Sequence, residues 1–83
     1  MSDSTVYYMD AHSESTETAL AAKMITVFDA AGLDEIVKPN DIVAIKVHCG
    51  EWNNSAYLRP LYARKLADRI KELGGRPFVC DTT

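Results

Sequence analysis

The run Ile42-Val43-Ala44-Ile45-Lys46-Val47-His48 limits what this chain can become more than any other feature. A strand exposed on one face alternates apolar and polar residues, whereas a strand in a parallel sheet with cover on both faces reads as nearly continuous hydrophobic sequence. This run is of the second kind. The turn residues of Lys38-Pro39-Asn40-Asp41 precede it and the polar, loop-like stretch 49–57 follows it. It is therefore expected to be the central strand of a parallel sheet, with the flanking segments supplying crossovers and neighbours.

Those segments can be read in order. Val6-Tyr7-Tyr8-Met9 is rich in aromatic and branched residues and gives way to Asp10-Ala11-His12, which predicts a first strand. Residues 13–18 gather Ser, Thr and Glu, the types that accept hydrogen bonds from free amides at a helix N-terminus. Leu20, Met24, Val27, Phe28 and Ala31 then recur at helical spacing, and Gly32 stands where a left-handed cap ends a helix. Leu33-Asp34-Glu35-Ile36-Val37 adds a further turn. Pro60 suits the first turn of a second helix, where its missing N–H costs nothing, and Leu58, Leu61, Leu66, Ile70 and Leu73 mark its buried stripe. Arg64 and Asp68, one turn apart, should form an exposed ion pair. Gly74-Gly75 closes the helix, and Arg76-Pro77-Phe78-Val79-Cys80 reads as a third strand. The expectation is a β-α-β-α-β unit with a three-stranded parallel sheet, residues 1–83 forming a single α/β unit.

This order has a consequence for completeness. With strands in the order one, two, three, right-handed crossovers place both helices on one face of the sheet and leave the other bare. Alternation puts Val43, Ile45 and Val47 on the side suited to the helices and Ile42, Ala44, Lys46 and His48 on the other. The bare face and the open edges call for the remainder of a larger chain or a protein partner. The unit therefore reads as the N-terminal part of a larger domain.

Composition narrows the function classes. With 83 residues, of which 47% are hydrophobic, the chain has the makings of one domain. A formal charge of −3 with interspersed basic residues gives no positive field for nucleic acid. No basic leader or membrane-length apolar run occurs, so the reading is no membrane and a cytoplasmic location. Two cysteines, Cys49 and Cys80, make a poor disulfide framework and would stay thiols in a reducing compartment.

Ligands of parallel sheets bind beyond the carboxyl ends of the strands. That edge should gather Asp10 and His12 from the first strand, Lys46, His48, Cys49 and Glu51 from the second, and Cys80 and Asp81 from the third. Lys46, His48, Glu51 and Asp81 are the candidate cleft residues. His48 reads either as a metal ligand or proton carrier, or as a strand-end histidine bonded to a neighbouring loop. Lys46 reads as a partner for an anionic ligand or for Asp10. Glu51 is an acid or base, or a solvated loop carboxylate. Cys49 and Cys80 could converge on zinc or iron, with the alternative that both simply pack. Gly50 permits a turn that a side chain would obstruct.

The segment Val43-Ala44-Ile45-Lys46-Val47-His48-Cys49-Gly50-Glu51, continued by Asn54, Tyr57-Leu58-Arg59-Pro60, Gly74-Gly75-Arg76-Pro77-Phe78-Val79 and Asp81-Thr82, resembles the opening of the iron–sulfur-associated family known as domain of unknown function 362. Lys46, His48, Gly50, Glu51, Asp81 and Thr82 match that family's motif, whereas Cys49 stands where an apolar residue is expected. The resemblance implies a redox or electron-transfer protein with an iron–sulfur cluster in the full-length protein. It does not imply that this chain binds the cluster alone, because the family's ferredoxin-like cysteine cluster is absent here. A second reading, from a different class, is a non-catalytic binding or assembly module that docks a partner through the uncovered sheet face.

Overall fold

The structure is a computed structural model, and it describes residues 4–15, 19–48, 50 and 59–81. The elements run α1 (Leu20–Ala30), α2 (Leu33–Ile36), β1 (Ile42–Lys46), α3 (Pro60–Glu72) and β2 (Arg76–Cys80). Helix α1 follows the apolar spacing read from the sequence. It ends where expected: Ala31 and Gly32 donate their amides to Val27 and Asp29 at 2.9 and 3.0 Å, and Gly32 takes φ +82°. Its start differs. The N-cap is Ala19, with no side-chain cap, and part of the Ser/Thr/Glu cluster expected to supply one lies outside the described residues.

Strands β1 and β2 pair in parallel with Ile42 opposite Arg76 and Lys46 opposite Cys80. Beyond the strand end, Val47 N–H donates to the Cys80 carbonyl at 3.1 Å, which carries the ladder one step further. Helix α3 is the crossover, opened by Pro60 in its first turn, and it packs on both strands. Its Ile70 is 2% exposed and forms a small core with Ala21 and Ile45. The chain entering each strand is fixed by backbone bonds: Asn40 N–H to the Gly74 carbonyl at 2.8 Å, and Arg76 N–H to the Asp41 carbonyl at 2.7 Å.

The expected three-stranded sheet is corrected to two strands among the described residues. Val6-Tyr7-Tyr8-Met9 is not a strand; Val6 and Tyr8 are 85% and 82% exposed. β-propensity expresses fit to a paired, half-buried surface, and no strand among the described residues lies beside this segment. It lies along α1 instead, where Tyr7, Met9 and Asp10 line a groove with Leu20, Lys23 and Met24. The buried Lys23 donates its Nζ to the Asp10 carbonyl at 3.0 Å and to the Asp10 carboxylate. A backbone acceptor that a sheet would use is thus taken by a side chain from α1. Among the described residues β1 is consequently not a central strand.

Part of the face argument survives the loss of the strand. Val43, Ile45 and Val47 are partly or fully buried, while Ile42, Ala44, Lys46 and His48 are exposed. Helix α1 packs chiefly on α3 and α2, so the covered sheet face rests mainly on α3. Arg69 of α3 links the helices, with Nε 3.0 Å from Asp29 Oδ1, Nη1 3.2 Å from Glu72 Oε2 and Nη2 4.0 Å from Asp34 Oδ2. The Asp29 carboxylate holds this guanidinium protonated beyond its ordinary range. The expected Arg64–Asp68 pair is not among the ion pairs of the described residues, although both residues are exposed.

The Asp10–Lys23 contact predicts an acid response. The Lys23 hydrogen bond, helped by the His12 amide 3.3 Å away, holds the Asp10 carboxyl below the usual aspartate range. A depressed folded value stabilises the fold above the unfolded value, and that contribution fades as pH falls through the folded value. Amide exchange at residues 7–12 should therefore accelerate selectively below about pH 4. In Asp10→Asn it should be fast already at neutral pH. Equal protection in both proteins at neutral pH would mean that the contact does not hold the segment.

Candidate functional site

The parallel register brings the carboxyl ends of β1 and β2 together, and the residues just past those ends form the site. Lys46 is opposite Cys80, so Asp81 follows immediately at the lip of the sheet. Lys46 Nζ donates to Asp81 Oδ1 at 2.7 Å, and His48 Nδ1 lies 3.9 Å from Asp81 Oδ2. The second distance is too long for a hydrogen bond and amounts to an ion pair only with a protonated imidazole. One carboxylate therefore faces both basic side chains, one oxygen toward each.

Exposure separates the roles. The Asp81 side chain is 20% exposed, whereas Lys46 and His48 are 56% and 47% exposed. An ion pair this open stabilises a fold by under about 1 kcal/mol, so the cluster has little to offer stability. It does fix where two basic groups stand. Gly50, at φ +112°, turns the backbone just beyond His48, as only glycine does readily.

Of the residues expected at this edge, Lys46, His48 and Asp81 are brought together. Cys80 is a half-buried free thiol beside Asp81. Glu51 and Cys49 lie outside the described residues, so the proposed meeting of Cys49 and Cys80 lies outside them as well. Asp10 and His12 belong elsewhere, because their assignment depended on a first strand: Asp10 is held by Lys23, and His12 Nε2 is 2.9 Å from Glu14 Oε1. Lys46 accordingly pairs with Asp81 and not with Asp10. The Lys23–Asp10 contact escaped the sequence reading, since a lysine on an amphipathic helix looks like its solvated face.

An iron–sulfur cluster does not fit the donors of this chain. Such clusters normally take four protein ligands, mostly thiolates, and the sequence holds two cysteines. Among the described residues, no group of three or more His, Cys, Asp or Glu side chains is placed to hold a metal ion. Among them, too, no helix is long and apolar enough to cross a membrane. Compared with protein-family models, curated proteins and solved structures, the chain matches none.

Proposed function

We propose that this chain is the ligand-cleft portion of an iron–sulfur-associated redox protein, working in the cytoplasm, with any cluster held by protein beyond these residues. The observation that carries the cleft is Asp81 facing both Lys46 and His48 where the two parallel strands end. In this reading Lys46 holds charge on the ligand, and His48, which faces Asp81, gives or takes a proton. The redox context rests on the resemblance of residues 43–51 and of Asp81-Thr82 to the iron–sulfur-associated family.

A second reading is favoured by a different observation. Ile42 and Phe78, on the bare side of the sheet, are 68% and 49% exposed, although parallel sheets are ordinarily covered on both faces. This face would dock further protein, and the polar edge would then serve only as a hydrogen-bonded rim.

Anaerobic purification of the natural protein, with intact mass and analysis for iron and zinc, separates the two. Iron travelling with a longer or tightly associated chain is the result expected from the first reading. A metal-free protein whose association is abolished by Phe78→Asp, with helix content unchanged, would replace it with the second.

A further inference from the structure

We infer that the outer face of α3 pairs with the same face of a second copy of this chain, the two helices running antiparallel about a two-fold axis. Ile70 marks the inner side of α3, and Leu61 lies nine residues, or about two and a half turns, before it. Leu61 therefore stands on the outer side, and it is 51% exposed. Lys65, Asp68 and Glu72 continue from it at intervals of four, three and four residues. That is the spacing of a stripe along which one helix lies against another. The stripe forms one wall of a groove of about 490 Å³, whose other wall is α1 with Ala22 and Ile25. Because α3 covers the sheet with its inner side, this surface is separate from the bare sheet face.

Charge decides which partner fits. Lys65 and Asp68 are exposed, and neither side chain has an ion-pair or hydrogen-bond partner among the described residues. Glu72, by contrast, is already engaged by Arg69 at 3.2 Å. Turned end for end about an axis between positions 66 and 67, the stripe meets itself with opposite charges opposed. Lys65 faces Asp68 of the second copy, and Asp68 faces its Lys65. At each end Leu61 lies against the stem of Glu72 of the other copy. A parallel pairing would set lysine on lysine and aspartate on aspartate. A two-fold interface needs this self-complementarity, since each contact in it occurs twice. Ion pairs this open are weak and sensitive to salt. The dimer is therefore a transient one, with a dissociation constant on the order of 100 µM.

The test is sedimentation of the intact protein from about 10 µM to about 1 mM, at low and at high salt. A monomer–dimer equilibrium that salt weakens is expected. Lys65→Glu and Asp68→Lys should each weaken it at least about tenfold, because a single substitution sets like charges against each other twice in the dimer. Both positions are exposed, so the variants should keep their fold, and circular dichroism checks this. Mixed in equal amounts, the two variants should associate one to one. Each reversed charge then faces the other, while the unaltered Asp68 and Lys65 still face one another. A monomer at every concentration, a dimer indifferent to both charge reversals, or folded variants that fail to associate when mixed would overturn the inference. So would a dimer lost in folded Phe78→Asp but kept in Lys65→Glu, which would move the contact to the bare sheet face.

Discussion

Ile70→Ala is expected to lower the free energy of unfolding by about 3 kcal/mol, seen as a large fall in the urea midpoint. Ile70 is 2% exposed and sits in α3, the helix that packs on both strands and on α1. Truncation removes three carbons from the point where those elements meet. The loss is then the transfer energy of those carbons together with the cavity they leave. It should weigh heavily here, because the other buried hydrophobic residues described are only Ala21 and Ile45. Small chains bury a low fraction of their surface, so a loss of this size can remove most of the folded population at ordinary temperature. The comparison is Phe78→Ala on the bare face, where little burial is lost. If the Ile70 variant shifts the midpoint no further than the Phe78 variant, the fold is not organised around α3.

What could be read in the sequence follows from how local each signal is. Helix α1 and its glycine stop were legible because a helix satisfies its own backbone and advertises its buried face by spacing alone. The second helix with Pro60 in its first turn was legible for the same reason. A strand needs a neighbour, and nothing inside Val6-Tyr7-Tyr8-Met9 says whether one is present. That segment lies along α1, and with it went the prediction that Asp10 and His12 reach the ligand edge. Lys46, His48 and Asp81 do stand together, because their placement depends only on a crossover between two adjacent segments, Ile42–Lys46 and Arg76–Cys80. The sequence could show which residues stand near the lip. That one carboxylate would face both basic groups depends on the register, which is a property of the fold.

Gly75→Ala is the second large effect, and it tests how the core sets that register. A Cβ at this position would lie 2.7 Å from Ile70 Cγ2, 2.9 Å from Val37 Cγ1 and 3.2 Å from the Ile70 carbonyl oxygen. The Gly75 amide also donates to that carbonyl at 2.9 Å, so the backbone cannot simply withdraw. Overpacking of this kind costs about 1–3 kcal/mol. Strand β2 begins at the next residue, and any adjustment passes along it toward Asp81 at the lip. Gly75→Ala should therefore perturb the Lys46 and His48 resonances as well as stability, although neither residue touches Gly75. Ile70→Ala removes the first of the three clashes, so the double variant should lose less than the sum of the single losses. A coupling of about 1 kcal/mol is expected for residues in direct contact. Strict additivity would place the strain on Val37 and the carbonyl instead. A destabilised Gly75→Ala with unmoved Lys46 and His48 resonances would show that the lip keeps its geometry independently of the core.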